Sequence, residues 1–283
     1  MNSDLLRPIT SNEIETYHRD GVLLLQNMFD NDWIEILNKG LDTNCKNPTE
    51  RSRIWDKDSL GHTMIFDNTA WQHIDEYRKF IFNSPASQIS GQLIGSKNIN
   101  FFFDSIFVRS KGTQFKTPWH QDEPYWSIEG YDVCTLWMPL VPVKRKSSLS
   151  FVPGSHRSKT VFNQYNFASL TLNPKDQVDF SNIADQEFPD IDADPERFGV
   201  VSWDMQPGDC VAFNGRTMHG GSGKLDNECD LRVFTTKWLG DDVRIKFRNC
   251  GMDPDHTDLM IKKDLKPGDR PSTDLYPLVW TRN

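Results

Sequence analysis

The first forty residues switch between a helical and a strand rhythm of hydrophobic positions. Thr10 and Glu13 stand at capping-box spacing, Ile14, Tyr17 and His18 form a one-sided stripe, and Gly21 is placed to stop the helix. The apolar run Val22-Leu23-Leu24-Leu25 then predicts a short strand. Asp30 or Asn31 can cap a second helix that carries Ile34, Leu37 and Leu41 on one face. Ser84-Pro85 followed by Ala86, Ile89 and Leu93, with Gly95 behind, predicts a third helix with proline at its favoured first position. From about residue 99 the texture changes to short β-rich runs broken by Pro, Gly and Asn. Candidate strands are Ile99 to Val108, Val133 to Val143, Leu149 to Val152, Val200 to Trp203, Cys210 to Phe213 and Leu231 to Trp238.

A few helices followed by many short strands predict a mainly β protein with flanking helices, built as a barrel or double-sheet jelly roll. We expect residues 1–283 to form a single domain: a helical scaffold over about 10–98, a β core over about 99–240, and a surface-wrapping tail over 244–283. The polar stretch from 157 to 199 reads as an exposed insertion or as a lid.

Composition narrows the class. A net charge of -8 argues against neutralising the phosphates of a nucleic acid. Hydrophobic content of 37%, with 9 Trp and 18 Phe, is enough for a packed core. No apolar run approaches the ~18 residues that span a bilayer, and the N-terminus lacks a secretory pattern, so a soluble, cytoplasmic protein is expected. Five cysteines without CxxC spacing fit reduced structural thiols.

The chemistry concentrates in two segments. In Thr117-Pro118-Trp119-His120-Gln121-Asp122, an extended backbone puts the imidazole of His120 and the carboxylate of Asp122 on one face. His219 follows the apolar run Cys210 to Phe213, at a strand end. Two imidazoles and one carboxylate on one face of an octahedral ion make the facial triad of non-haem Fe(II) oxygenases, with open positions left for reactants. A zinc hydrolase can use the same ligands, but His-Glu-x-x-His is absent. Alternation along Leu231 to Trp238 groups Arg232 with Phe234, Thr236 and Trp238. If that face points inward, Arg232 needs a carboxylate partner such as a bound acid; if outward, it makes an ordinary ion pair. Its spacing from His219 favours the first.

These segments resemble the phytanoyl-CoA dioxygenase family. The resemblance rests on the stretch around His120, on Cys134 to Arg157 with its Phe151-Val152-Pro153-Gly154-Ser155-His156, and on Gly208-Asp209 through His219 to Arg232, in that order. With the opening helix and Gly21-Val22-Leu23, it covers most of residues 10–240. It implies a double-stranded β-helix (cupin-like) fold and a dioxygenase using Fe(II), 2-oxoglutarate and O2. By the same resemblance, His120, Asp122 and His219 bind iron, Arg232 holds the distal carboxylate of 2-oxoglutarate, and Trp137 lines the cosubstrate pocket. Trp126, with Tyr125 beside it, is implied on the substrate side. Gly221 stands where many members carry a hydroxyl residue, which makes Ser222 the candidate second cosubstrate contact. Lys144-Arg145-Lys146-Ser147-Ser148 replaces the family's Asn-Gly turn.

The expected reaction is oxidation of an unactivated C–H bond of a small metabolite or natural-product intermediate, with release of succinate and CO2. Halogenating relatives replace the ligand carboxylate by a small residue; Asp122 is retained here, so hydroxylation, desaturation or ring closure is expected instead. Acyl-CoA ranks below small metabolites, because Lys144-Arg145-Lys146 reads as a solvated turn and the net charge is negative. The rival readings are a catalytically silent cupin-like binding module, against which Arg232 speaks, and a metal-dependent hydrolase. His18, His62, His73, His156 and His256 are read as structural or solvent-facing.

Overall fold

A computed structural model describes residues 1–55, 61–113, 116–158, 160, 162, 165–166, 171–172, 188–221, 229–248 and 252–282. The chain opens with α1 (Ser11–Asp20), β1 (Val22–Leu25), α2 (Asn31–Lys46), β2 (Arg53–Trp55) and β3 (Met64–Asn68). Next come α3 (Asp75–Asn83), α4 (Ala86–Ile94), β4 (Asn98–Arg109), β5 (Thr117–His120), β6 (Ile128–Glu129), β7 (Val133–Pro139) and β8 (Leu149–Phe151). The remainder is β9 (Tyr165–Asn166), β10 (Thr171–Leu172), β11 (Cys210–Asn214), β12 (His219–Gly221), β13 (Leu231–Leu239), β14 (Arg244–Ile245), α5 (Thr257–Lys262) and β15 (Leu278–Thr281).

Two antiparallel sheets position the site. The larger runs β1-β11-β7-β13-β4-β3-β2, with β15 also paired to β4; the smaller runs β5-β12-β8. Strand alternation gives the large sheet two apolar faces. One face carries Phe101, Leu136, Met138, Phe234 and Trp238, and buries them against Leu37, Tyr77, Phe80 and Leu93 of α2, α3 and α4. The other carries Trp137, Val211, Phe213 and Val233, and packs with Phe151 of the small sheet. This is the strand-rich double-stranded β-helix architecture with helices outside. Among the described residues no helix is long and apolar enough to cross a membrane.

Several expected boundaries move. The first helix carries the capping box between Thr10 and Glu13 and ends at Gly21 in the left-handed region. The strand expected over 200–203 is reduced to an isolated bridge between Val201 and Phe151, and the one expected to reach Val143 ends at Pro139. The helix α3 was not expected: its N-cap, Ile74, makes no side-chain cap bond, so the usual start signal is missing. The tail differs most. Met260, Leu265, Leu275 and Tyr276 are buried with Phe102, Phe103 and Trp126, so this segment closes a core instead of only wrapping the surface. His256 is buried there too, between Thr69 Oγ1 at 2.9 Å and the Tyr276 hydroxyl at 3.0 Å. Much of the stretch at 157–199, read as an exposed insertion or a lid, lies outside the described residues.

Gly21 ties the N-terminal helix to the loop before β12. Its φ is +71°, and a Cβ there would meet His156 Nδ1 at 2.3 Å and Thr217 Oγ1 at 2.8 Å. Its carbonyl accepts from Asn214 N at 2.9 Å and from the Thr217 hydroxyl at 2.8 Å, which fixes the turn leading to His219. Left-handed strain of about 1–2 kcal/mol adds to about 1–3 kcal/mol of overpacking. Gly21→Ala is therefore expected to lower stability by about 2–5 kcal/mol. Chemical denaturation checks this, and a loss under about 0.5 kcal/mol, the scatter of an ordinary surface change, contradicts it.

Candidate metal centre and pocket

The small sheet brings the two histidines together. In the pairing of β12 with β5, His219 stands directly opposite His120, and their ring centroids are 4.2 Å apart. The chain leaves β5 into a tight 3-10 turn (Glu123–Tyr125), and Asp122 sits at its start with helical backbone angles. The Asp122 and Glu123 N–H groups both donate to Gly215 O at 2.9 Å, which joins this turn to the turn before His219. Asp122 Oδ1 lies 3.5 Å from His120 Nε2 and 3.7 Å from His219 Nε2. One ligand atom from each of the three residues falls within 4.8 Å of the others, close enough to share one ion.

Backbone carbonyls orient both rings. His120 Nδ1 is 2.8 Å from Pro118 O and His219 Nδ1 is 2.9 Å from Thr217 O. A protonated Nδ1 donating to a carbonyl leaves the Nε2 lone pair for a metal. Burial, with His120 adjacent, pushes His219 down to about 4, so its imidazole is neutral at pH 7. Burial would raise the Asp122 carboxyl, but the His219 and His120 imidazoles hold it below its ordinary value, so it is ionised. Two imidazoles and one carboxylate are a donor set that suits a divalent first-row metal in a facial site.

These residues open into a cavity of about 140 Å³, an order of magnitude more than the ~10–15 Å³ that one water needs. Strand register orders its wall. On β13 the residues lining it are Leu231, Val233, Thr235 and Lys237, and on β4 they are Phe103, Ser105, Phe107 and Arg109. Leu231 pairs with Arg109 at one end of the large sheet's share of the wall, and Thr117, Gly221 and Leu149 stand side by side on the small sheet; all five line the cavity. Toward the other end, Phe213 pairs with Thr135 and Thr135 with Lys237, and the Phe213 ring lies 4.8 Å from that of His219. Tyr125, Trp126 and Asp253 also line the wall. Trp126 lies over Gly215, where an added Cβ would come within 2.5 Å of its ring.

Arg232 requires correction. The alternation of β13 holds, but Arg232 is on the helix-facing side with Phe234 and Trp238. Its Nε donates to Asn38 Oδ1 at 2.7 Å, and its Nη2 to Asn38 O at 2.9 Å and Asp42 Oδ1 at 2.8 Å, all on α2. It makes the outer-face ion pair and does not line the cavity. Among the described residues, the cationic side chains that do are Arg109 and Lys237, both buried. Both were missed, although the two-residue alternation places Lys237 on the face opposite Arg232. Trp137, Trp126 and Tyr125 are on the cavity wall. Ser222 lies outside the described residues. His156 is far from this constellation in role: its Nε2 lies 3.2 Å from His18 O.

The fold has clear relatives among solved structures. The non-haem α-ketoglutarate-dependent carbocyclase SnoK from nogalamycin biosynthesis superposes with a TM-score of 0.70 at 18% identity, covering 96% of this chain and 97% of its own. The epimerase SnoN, in complex with Fe3+, α-ketoglutarate and nogalamycin RO, gives 0.65 at 18% identity, covering 94% and 97%. EctD from S. alaskensis, with 2-oxoglutarate and 5-hydroxyectoine, gives 0.65 at 16% identity, covering 84% and 78%. No curated protein matches the chain in sequence. The family profile described as phytanoyl-CoA dioxygenase (PhyH) matches residues 17–225, a span that contains all three metal-ligand candidates. The chain belongs to the phytanoyl-CoA dioxygenase family of iron- and 2-oxoglutarate-dependent oxygenases.

Proposed function

We propose that this protein is an Fe(II)- and 2-oxoglutarate-dependent oxygenase that oxidises an unactivated C–H bond of a small molecule, by hydroxylation or by a related desaturation or ring closure. The observation that carries the reading is the convergence of His120, Asp122 and His219, two oriented imidazoles and one ionised carboxylate, at a cavity with a buried arginine. Bound together, iron, 2-oxoglutarate and O2 supply the oxidising power, with succinate and CO2 as coproducts.

The residues present fit those groups. His120, Asp122 and His219 would hold the ion by one face. Arg109 would take the distal carboxylate of 2-oxoglutarate in place of Arg232, since a guanidinium fork matches a carboxylate in two parallel hydrogen bonds. Its Cα lies four residues along β4 from Ser105, or about 13 Å at ~3.3 Å per residue, so the long side chain has room to meet a diacid reaching along the barrel. Trp137 would form the wall beside that diacid. Phe103, Tyr125 and Trp126 would bound the oxidised molecule, exclude water from it and fix which C–H faces the metal. Retention of Asp122 favours oxygen insertion or desaturation over halide transfer.

Neither a silent binding module nor a zinc hydrolase calls for a cosubstrate carboxylate site. The purified protein loaded with Fe(II) is expected to form succinate from 2-oxoglutarate with matching O2 uptake, accelerated by the right member of a substrate panel. Absence of succinate at saturating Fe(II) and 2-oxoglutarate across the panel, with the metal shown to be bound, contradicts the reading.

A further inference from the structure

The substrate end of the cavity holds a charge that the chemistry proposed above does not use. Lys237 is inward-facing on β13 and buried. Its ammonium donates to Ser105 Oγ and to Thr235 Oγ1, each at 2.6 Å, and lies 4.5 Å from the centre of the Phe103 ring. An ammonium has three donors, and among the described residues its hydrogen-bond partners are these two neutral hydroxyls. Burying a cation against neutral partners costs several kcal/mol, an arrangement a protein seldom keeps for packing alone.

The carboxylates nearby are committed elsewhere. Asp253, also on the cavity wall, is met by Arg53 Nη1 at 2.6 Å. Asp104 accepts from the Ala70 and Trp71 N–H groups, both at 3.1 Å. Asp122 belongs to the metal triad. Burial lowers Lys237 to about 8, with Asp122, Asp104 and Asp253 opposing the fall, so the ammonium is still mostly protonated at neutral pH. Phe103 stands beside it, the Trp126 ring centre lies 6.0 Å from that of Phe103, and Tyr125 lines the same cavity.

We propose that Lys237 anchors a carboxylate of the oxidised molecule, so that the pocket selects an acid whose apolar body packs against Phe103, Tyr125 and Trp126. This inference rests on the oxygenase reading for the oxidation of the bound acid, but not for its binding. The geometry separates it from the cosubstrate site, because Arg109 pairs with Leu231 at one end of β13 whereas Lys237 is six residues further along. The anchored acid would pair its charge with the ammonium and set its apolar body in the cavity that the triad also lines.

The test is a calorimetric titration with 3-phenylpropanoate and its neutral counterpart 3-phenylpropanamide. It is run on the anaerobic protein with Fe(II) and 2-oxoglutarate, and on the protein alone. A charge-assisted hydrogen bond exceeds a neutral one by about 1 kcal/mol or more, so the acid is expected to bind about fivefold to tenfold tighter than the amide. Lys237→Met removes that preference and leaves 2-oxoglutarate affinity unchanged; Lys237→Gln, which keeps a donor to Ser105 and Thr235, does the same if the methionine variant does not fold. Arg109→Met keeps the preference. Equal binding of acid and amide, no binding of either, or a preference that survives both Lys237 variants overturns the proposal. So does a loss of 2-oxoglutarate affinity on removing Lys237, which would assign the ammonium to the cosubstrate. The titration on the protein alone reads the preference even if Fe(II) and 2-oxoglutarate do not bind, so failure of the oxygenase reading remains separate.

Discussion

Asp122→Ala is expected to abolish 2-oxoglutarate turnover and to weaken Fe(II) binding by at least about 100-fold, more than the 10- to 100-fold typical of losing a group that merely supports a ligand. Asp122 Oδ1 lies between the two imidazoles, at 3.5 and 3.7 Å, and is the one anionic donor of the three. Without it the site offers two imidazole nitrogens and no anionic donor, and a divalent ion loses both a bond and its charge balance. The variant should fold, because the turn at Asp122 is held by its backbone N–H and not by its carboxylate. Metal content after dialysis and succinate release check the prediction. Near-normal succinate formation by Asp122→Ala contradicts the assignment of this carboxylate as a ligand.

The second large effect separates two arginines. Arg109→Met is expected to raise the KM for 2-oxoglutarate by roughly 10- to 150-fold, the equivalent of losing a charge-assisted contact of about 1.5–3 kcal/mol. Arg232→Met should leave that KM within about twofold of the parent, because its guanidinium is bound to Asn38 and Asp42 on the opposite face of the sheet. Its loss should appear instead in stability, since it leaves the Asn38 side-chain oxygen and backbone carbonyl without this donor and removes a half-exposed ion pair of about 0.2–1 kcal/mol. Initial rates against 2-oxoglutarate for the two variants decide between them. The reverse pattern, a KM defect in Arg232→Met and none in Arg109→Met, would return the cosubstrate carboxylate to the sequence-based choice.

That choice shows where sequence reasoning stops. Period-two alternation sorts the residues of β13 into two sets, and it does so correctly. Which set faces the barrel is undetermined when both faces are buried, because the helices cover one side and the small sheet the other. Leu231 and Val233 are as apolar as Phe234 and Trp238, so no polarity contrast marks the inside. The metal triad was legible for a different reason: His120 and His219 each end a short strand, and a His-x-Asp step fixes the third ligand locally. The tail over 244–283 was misjudged because Met260, Leu265, Leu275 and Tyr276 have no regular spacing, and their burial depends on Phe102, Phe103 and Trp126 from distant strands. Arg109, at the very end of β4, carries no local signal of function; its pairing with Leu231 and Met64, which line the cavity, puts it there.

In the proposed oxygenase, His120, Asp122 and His219 would hold one ferrous ion, and 2-oxoglutarate would bind beside it in this cavity. Titrating 2-oxoglutarate into the Fe(II)-loaded protein without oxygen tests it most directly. A weak visible charge-transfer band that saturates at one equivalent, and is missing in Asp122→Ala, is the predicted result. A folded, iron-loaded protein that develops no such band at saturating 2-oxoglutarate contradicts it.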